Sequence, residues 1–578
     1  MCGIAGIIGR DATAENAEAM SARLRHRGPD GDGTWLAPGV AIAHRRLAIL
    51  DPTPAGAQPM QLGAHVLTYN GELYNFHALR ARVAAPLRSN CDTEVLLQLL
   101  SRDGARCLPE LIGMFAFAVW DSERRELFAA RDRLGIKPFY YRLLSDGIAF
   151  ASELKALLVL GTPPIDKSAL RDFLFHGYVP APKTIYQGIA KLPAGHSLTF
   201  RDGALAIERY WAPSIEIRQR DRAAILAELD ALLHVVVPEH TLSDVPVGVF
   251  LSGGMDSALT AYYLGRARTF TLGFDAATRT ETDAARALAA HLGTQHTDMT
   301  TSSSDLNAAL DTVPRLFDEP FGDSAAWSNY LIAGCARREV KVALSGEGGD
   351  EIFAGYPRYW SAIGARSTRL NRTLATVLPP LSRFGQSMQR HSLTGLRAFS
   401  AALGGLTAVQ IDALLNPEWL ESGYDYDWFY RQFWREGLDP LVQLRWLDVN
   451  TDLPEGLLVK VDRSSMAHSL EVRPPLLDHR LVEFMLRVDP HLLVDERARR
   501  GKLLVRELMQ ERLPAGHADR PKSGFGLPAR GWIRRHPQLW KAAIRRLIER
   551  GVLRGPVSSD FRRAWYLLVL DRWLSACT

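Results

Sequence analysis

The chain has 578 residues, of which 47% are hydrophobic and 23% are charged, and its formal net charge is only +5. This composition indicates a globular chain long enough for two or more domains, and the small net charge argues against nucleic acid as a partner. No apolar run reaches the ~20 residues that span a membrane, and the N-terminus lacks a basic-then-apolar signal pattern. The five cysteines are scattered, without a CxxC pair or zinc-site spacing, so we expect a reduced, cytoplasmic protein with no membrane contact.

A cysteine follows the initiator methionine directly, in the sequence MCGIAGI. If Met1 is removed, the α-amine of Cys2, with a reference pKa of ~7.7–8.0, becomes a base that activates its own thiol. A cysteine considered alone is more often a small buried residue. Three further motifs change that balance, namely HRGPD at 26–30, RRLAI at 45–49 and NGELYN at 70–75.

Together and in this order, the four motifs resemble those of the class II glutamine amidotransferases. The resemblance implies that Cys2 hydrolyses glutamine, while the Asn70 amide and the Gly71 N–H stabilise the tetrahedral oxyanion. It also implies that Arg46 binds the α-carboxylate of glutamine bidentately and that Asp92 binds its α-amine.

Glu72 belongs to the NGELYN motif and completes the predicted glutamine-binding set. The residues alone leave simpler interpretations open. Arg46 would then form a surface ion pair, Asp92 would be a helix N-cap, and Asn70–Gly71 would form a turn.

The rest of the first half has the pattern of a scaffold. Ile112–Asp121 is predicted to be a buried strand, and Arg131–Pro138 the turn that follows the next strand. The resemblance implies an α/β/β/α, Ntn-type glutaminase domain, a layering that antiparallel sheets form. Turn residues and a loss of periodicity near residue 212 predict a boundary between a glutaminase domain over 2–212 and a second domain over 213–578.

The second domain is organised around Val245–Tyr263. An apolar, β-branched run up to Leu251 predicts a strand buried on both faces, and SGGMDS at 252–257 precedes residues at helical spacing. A strand, a glycine turn and a helix in succession direct backbone N–H groups at an anion. The alternative is an ordinary turn in which Asp256 and Ser257 cap the helix.

Strands and helices continue to alternate after this loop. Thr269–Phe274 and Val340–Leu344 are predicted strands, Glu281–Leu292 is a predicted helix, and SGEGGDE follows at 345–351. This alternation predicts a doubly wound parallel sheet whose ligands lie beyond the carboxyl ends of its strands. Both glycine-rich motifs follow such ends, so we expect them to face one ligand. Residues 360–450 are predicted to add further helices.

SGGMDS resembles the pyrophosphate-binding loop of ATP pyrophosphatases, and the chain from Cys2 to about Pro528 resembles the glutamine-hydrolysing asparagine synthetases. The implied chemistry is the splitting of ATP into AMP and pyrophosphate as a carboxylate is adenylated. The predicted residues for ATP and pyrophosphate are Ser252, Gly253, Gly254, Asp256, Ser257, Ser345, Gly346 and Lys522.

The same resemblance assigns the remaining roles in this site. Asp256 and Asp350 are expected to hold Mg²⁺, which neutralises the leaving pyrophosphate. Glu347 is expected to organise the attack of ammonia and to take up a proton. Lys522, in the sequence RPKSGF, is expected to place its charge on the α-phosphate.

We therefore expect a carbon–nitrogen ligase that transfers glutamine nitrogen through an internal tunnel to a β-aspartyl adenylate. The same mechanism acting on a sugar uronate, a peptide or a secondary-metabolite carboxylate is the alternative, since Phe321–Tyr330, where relatives form the acceptor pocket, contains no Lys or Arg. The N-terminal glutaminase motifs and the small net charge argue against an RNA-modifying pyrophosphatase. The presence of Cys2, Asp256, Glu347 and Lys522 together argues against a non-catalytic scaffold. The sequence does not determine the oligomeric state, and a homodimer is among the states that it allows.

Overall fold

The structure is a computed structural model, and it describes residues 2–83, 86–218, 220–274, 279–359, 395–403, 405–520, 529–555, 557 and 560–577. Element numbers below count the described strands and helices. Across the part of the chain that is described, none of the helices combines the length and the apolar character that a membrane crossing requires.

Two antiparallel six-stranded sheets form the N-terminal part of the molecule. Their strands, in chain order, are β1 (Gly3–Ile8), β2 (Gly31–Ala37), β3 (Val40–Arg46), β4 (Met60–Leu62), β5 (His65–Leu73), β6 (Gly113–Asp121), β7 (Glu126–Arg131), β8 (Tyr140–Leu144), β9 (Gly147–Ala151), β10 (Ile189–Lys191), β11 (His196–Arg201) and β12 (Ala204–Arg209). The first sheet has the order β10-β8-β9-β1-β3-β2, and the second has the order β12-β11-β7-β6-β5-β4.

The helices, in chain order, are α1 (Ala14–Arg23), α2 (Phe76–Arg80), α3 (Asp92–Asp103), α4 (Leu154–Leu157), α5 (Lys167–His176), α6 (Arg222–Glu239), α7 (Met255–Leu264), α8 (Arg279–Leu292), α9 (Ser303–Leu316), α10 (Ala325–Ala336), α11 (Gly349–Ile352), α12 (Gly395–Leu403), α13 (Ala408–Leu414), α14 (Trp428–Arg431), α15 (Pro440–Asn450), α16 (Leu458–Met466), α17 (His479–Leu486), α18 (Leu503–Met509), α19 (Ala529–Arg535), α20 (Pro537–Glu549) and α21 (Phe561–Cys577). A π-helical segment, Leu453–Leu457, leads directly into α16.

Alternation of side chains along the strands explains how the two N-terminal sheets stack. Ile4 and Ile42 of the first sheet share an apolar cluster with Trp120 and Leu127 of the second, so these faces pack together. The neighbouring residue Ala5 points to the opposite face, where the first sheet packs against α1. Helix α3 covers the outer face of the second sheet. The predicted α/β/β/α layering is confirmed.

A five-stranded, fully parallel sheet forms the centre of the second half. Its strands are β13 (Val247–Phe250), β14 (Arg268–Phe274), β15 (Gln295–Thr301), β16 (Val342–Leu344) and β17 (Glu471–Arg473). In the order β15-β14-β13-β16-β17, the chain first adds β14 and β15 on one side of β13 and then adds β16 and β17 on its other side. The direction in which strands are added therefore reverses between β13 and β16. The predicted doubly wound sheet is therefore confirmed, and such a reversal is where ligands bind in this class of fold.

The described part of the region predicted to be helical, 395–403 and 405–450, contains α12 to α15. The predicted domain boundary near residue 212 falls between the end of β12 and the start of α6, and it stays a prediction.

Candidate active sites

Cys2 lies immediately before β1 and is buried. Its backbone N–H donates to Asn70 Oδ1 at 2.8 Å, and burial raises the pKa of its thiol. A pocket of ≈ 30 Å³ opens beside it, and its walls include Cys2, Arg46, Gly71, Glu72, Asp92 and Glu471. The structure thus brings the predicted glutaminase residues together, and it adds Glu471 from the second half of the chain.

Asn70 and Gly71 lie within β5, opposite Ala116 and Phe115 of β6, so the interpretation of this pair as a turn is wrong. The Asn70 Nδ2 atom is buried and has no hydrogen-bond partner in the part of the chain described. An unsatisfied buried donor costs about 1–3 kcal/mol. That cost is explained if the amide donates to an oxyanion that forms only during the reaction.

Arg46 ends β3, and its guanidinium donates to the backbone oxygens of Thr53 at 2.7 Å and Asp51 at 2.5 Å. These bonds fix the guanidinium at the edge of the pocket that Cys2 lines. Among the described carboxylates, none forms an ion pair with Arg46, which argues against a surface ion pair as its role.

Asp92 is the first residue of α3, and Cys91 occupies the N-cap position. The interpretation of Asp92 as a helix N-cap is therefore wrong. Its Oδ2 accepts hydrogen bonds from the Tyr69 hydroxyl at 2.7 Å and from the Leu73 N–H at 3.0 Å. Burial raises the pKa of Asp92 to about 6.

Glu72 is bound by a residue of the second half of the chain, which the sequence did not indicate. Arg473 donates to Glu72 Oε2 at 2.7 Å and to Glu471 Oε1 at 2.5 Å, and all three side chains are buried. Arg473 also donates to the backbone oxygens of His240 and Leu242. The predicted contact of Glu72 with glutamine stays a prediction, while its observed contact joins the two domains.

A second buried connection reaches the backbone of the predicted nucleophile. Arg27, from the HRGPD motif, donates through Nε to the Cys2 carbonyl at 3.1 Å. The same guanidinium bonds both carboxylate oxygens of Asp462 on α16, at 2.8 and 3.0 Å, and Glu153 at 2.7 Å. The position of Cys2 therefore depends on α16 of the second domain.

A much larger pocket, of ≈ 790 Å³, lies at the carboxyl ends of β13 and β16. The predicted nucleotide-binding residues that the structure describes all line it: Ser252, Gly253, Gly254, Asp256, Ser257, Ser345 and Gly346. A Cβ on Gly346 would lie 2.8 Å from both Asp256 Cβ and Ser257 N, so the two glycine-rich loops are in close contact.

The SGGMDS loop has the geometry of an anion site. Gly253 adopts φ +70°, a left-handed conformation that favours glycine. Gly254 is the N-cap of α7 and makes no side-chain cap, so the interpretation of Asp256 and Ser257 as helix caps is wrong. The Ser257 hydroxyl instead accepts from the Ser252 N–H at 3.1 Å and fixes the loop. The backbone N–H groups at the N-terminus of α7 are not bonded by a side-chain cap and can bind an anion.

Lys502 connects the two aspartates that were predicted to hold a metal ion. Its Nζ forms ion pairs with Asp256 Oδ2 and, at 2.6 Å, with Asp350 Oδ1. Burial alone would lower the pKa of this amine, but the carboxylates of Asp256 and Asp350 raise it above its usual value. Lys502 is a site residue that the sequence analysis missed, and no local motif marks it.

The donor set is compatible with Mg²⁺. The carboxylates of Asp256 and Asp350 converge on one cation, Lys502 Nζ, and Mg²⁺ in nucleotide sites takes one or two carboxylates together with substrate phosphates. Within the described residues, no group of three or more His, Cys, Asp or Glu side chains is arranged to hold a metal ion.

Glu347 and Lys460 also line the large pocket. Lys460, on α16, forms an ion pair with Asp323 at 3.1 Å. Asp323 belongs to Phe321–Tyr330, so the structure supplies from α16 the basic residue that this segment lacks. Burial raises the pKa of Glu347, which the positive charge of Lys460 opposes. Lys522, predicted to contact the α-phosphate, lies outside the described residues.

Residues 1–211 match the glutamine amidotransferase domain, and residues 228–573 match asparagine synthase. The chain is 33% identical, over 99% of its length and 97% of the relative, to a putative asparagine synthetase (glutamine-hydrolyzing) of Mycobacterium tuberculosis H37Rv. The chain belongs to the glutamine-hydrolysing asparagine synthetase family. It is also 29% identical to asparagine synthetase (glutamine-hydrolyzing) 1 of Bacillus subtilis, over 100% of this chain and 96% of that one. An amidase of Gibberella zeae, chry2, is 25% identical over 92% of this chain and 90% of its own length.

As a member of the glutamine-hydrolysing asparagine synthetases, the chain is a carbon–nitrogen ligase that uses glutamine, ATP and an acid substrate. The resemblance drawn from the Cys2 motifs and from SGGMDS is confirmed.

Proposed function

We propose that this enzyme makes asparagine from aspartate, with nitrogen released from glutamine at Cys2 and ATP cleaved to AMP and pyrophosphate. The observation that most supports this is the arrangement around β17. Glu471, at one end of the strand, lines the Cys2 pocket, and the next residue, Val472, lines a small cavity that Glu347 also lines. Glu347 in turn lines the nucleotide pocket. Ammonia would follow this route.

The first half-reaction takes place at Cys2. Its thiolate attacks the side-chain amide carbon of glutamine, with the α-amine of Cys2 as the base once Met1 is removed. The oxyanion that forms is stabilised by Asn70 Nδ2 and the Gly71 N–H. Ammonia leaves, and water hydrolyses the thioester to glutamate. Arg46 and Asp92 orient glutamine through its α-carboxylate and α-ammonium.

The second half-reaction takes place in the large pocket. A carboxylate oxygen of the acceptor attacks the α-phosphorus of ATP, and pyrophosphate leaves toward the N-terminus of α7 and Lys502. Asp256 and Asp350 would hold Mg²⁺, which neutralises phosphate charge when bound. Ammonia then attacks the acyl carbon, AMP leaves, and Glu347 takes up the proton. The raised pKa of Glu347 suits this role, because a more basic carboxylate accepts a proton more readily.

Aspartate is supported as the acceptor by the Lys460–Asp323 pair. An α-amino acid has one carboxylate and one ammonium beside the reacting group, and a buried pocket must compensate both charges. Lys460 offers a cation for the α-carboxylate, and Asp323 offers an anion for the α-ammonium. A sugar uronate has neither of these extra charges and would leave the pair unused.

ATP–pyrophosphate exchange with a panel of acids tests the acceptor. We expect exchange with aspartate, and much less with succinate, which has two carboxylates but no amine. Lys460→Met should abolish exchange with aspartate. Clear exchange with a uronate or a peptide acid, and none with aspartate, would refute asparagine synthesis and support the alternative of the same mechanism on another acid.

A further inference from the structure

A small cavity lies between the Cys2 pocket and the nucleotide pocket. Its walls include Lys137, Glu347, Val461, Asp462, Val472 and Pro474. It leaves a volume of ≈ 10 Å³ for the centre of a water-sized molecule. That is about the space of one such molecule, and ammonia is of similar size. Both domains contribute to these walls, since Lys137 follows β7 and Asp462 lies on α16.

The side chain of Lys137 is buried, with 1% of its surface exposed. Its Nζ forms no hydrogen bond or ion pair with any residue that the structure describes, whereas a buried lysine is normally paired. The acids nearest to it are bound elsewhere, because Asp462 is bonded by Arg27 and Glu471 by Arg473. The amine in the cavity wall therefore has unused hydrogen-bonding capacity.

The backbone around Lys137 is fixed by side chains of the same turn. The Lys137 N–H donates to Asp132 Oδ2 at 2.9 Å, and the Lys137 carbonyl accepts from Arg131 Nε at 2.8 Å. Arg131 also donates to the Gly135 carbonyl at 2.8 Å. This turn, the RDRLGIKP sequence at 131–138, had only a scaffold role in the sequence analysis. Its bonds hold the start of the Lys137 side chain in one place.

Burial also favours the neutral amine of Lys137. Removal from water lowers the pKa of this amine, and the charge of Arg27 adds to the effect, against the opposing influence of Asp462, Glu471 and Asp132. The Lys137 amine offers N–H donors in either protonation state, and ammonia offers a lone pair that accepts one of them, so the two groups can form a hydrogen bond.

We infer that Lys137 binds neutral ammonia in transit from Cys2 to Glu347. This inference rests on the proposed ammonia transfer between the two sites. The cavity admits one small molecule, and the Lys137 amine is a hydrogen-bond donor in its wall that no described residue uses. Ammonia bound there is removed from the bulk water in which it would be protonated. Lys137 is thus a positioning residue for the transferred nucleophile.

The test measures glutamate formed per amide formed in Lys137→Met, which keeps the aliphatic chain and removes the amine. We expect this ratio to rise about threefold to tenfold, the range of one net hydrogen bond. Glutaminase activity and ammonium-dependent synthesis should stay at the level of the unmodified enzyme. Lys167→Met, an exposed lysine of α5, is the control and should leave the ratio unchanged.

Lys137→Gln is the second variant, because its amide keeps a donor and an acceptor. Its ratio should lie nearer to that of the unmodified enzyme than the ratio of Lys137→Met does. An unchanged ratio in Lys137→Met, or equal uncoupling in the two variants, would overturn the inference. Loss of ammonium-dependent synthesis in both variants would also overturn it, since Lys137 would then be structural. Absence of amide formation in the unmodified enzyme would instead refute the proposed function itself.

Discussion

Replacing Asn70 with alanine tests the oxyanion assignment most sharply. The substitution removes two polar atoms of the Asn70 amide, Oδ1 and Nδ2, and with them two different interactions. Oδ1 accepts the Cys2 N–H at 2.8 Å in the resting enzyme, whereas Nδ2 is buried without a partner in the described chain. The first interaction positions the nucleophile before reaction. In the proposed mechanism, the second forms only when negative charge develops on the glutamine oxygen.

The two interactions differ in size and in the kinetic constant that they affect. A neutral hydrogen bond contributes a net ~0.5–1.5 kcal/mol. Loss of an oxyanion donor lowers kcat by about 10²–10³, equivalent to about 2.7–4 kcal/mol. Because an oxyanion donor acts in the transition state, the proposed role of Nδ2 predicts that Asn70→Ala lowers the kcat of glutaminase by about 10²–10³ and changes KM for glutamine far less.

The assay is glutamate release under saturating glutamine, beside ammonium-dependent amide synthesis by the same preparation. Asn75→Ala is the matched control from the same NGELYN motif. The Asn75 amide donates to the Glu110 carbonyl at 2.9 Å and accepts the Ile112 N–H at 3.1 Å, away from Cys2. That variant should lose about 1 kcal/mol of stability and keep its kcat. A fall of less than about threefold in Asn70→Ala, well below the expected effect of an oxyanion donor, would refute the assignment.

Three further outcomes are expected. Cys2→Ala should abolish glutamine-dependent synthesis and keep ammonium-dependent synthesis; loss of both would make Cys2 structural. Lys502→Met should lower ATP–pyrophosphate exchange by about 10²–10³ and spare glutaminase, because the leaving pyrophosphate would lose the fixed positive charge of Lys502; unchanged exchange would contradict this role. For Asp92, whose pKa burial raises to about 6, the carboxylate is charged above that pH and can bind the glutamine ammonium. The kcat/KM for glutamine should therefore fall as pH drops through about 6, and Asp92→Asn should lack that inflection.

The sequence predicted those parts of the molecule that local pattern determines. The apolar run before SGGMDS forms β13, and Ile112–Asp121 contains β6, because an uninterrupted apolar stretch has to be buried on both faces. The two glycine-rich loops meet because β13 and β16 are parallel neighbours at the reversal of strand order. Motif and topology together were sufficient to predict that the two loops line one pocket.

Pairings between distant segments had no local signature. Arg473 and Glu72 are 401 positions apart, and Lys502 and Asp256 are 246 positions apart. Each pair forms only after the two domains, or two distant parts of one domain, have packed. The same holds for Lys460 and Asp323, since Lys460 on α16 supplies the basic side chain that Phe321–Tyr330 lacks. For the buried pair of Arg473 and Glu72, removal of one partner would leave an uncompensated buried charge, which costs about 3–5 kcal/mol.

Isotope transfer from glutamine tests the central proposal most directly. The enzyme would be given aspartate, ATP, Mg²⁺ and glutamine with heavy nitrogen in its side-chain amide, in the presence of excess unlabelled ammonium at a pH that suits both activities. We expect asparagine with heavy nitrogen in its amide, formed with equal amounts of AMP and pyrophosphate. Asparagine that carries only unlabelled nitrogen would contradict transfer between the two sites, and the absence of asparagine, or the formation of ADP and phosphate, would contradict the proposed reaction.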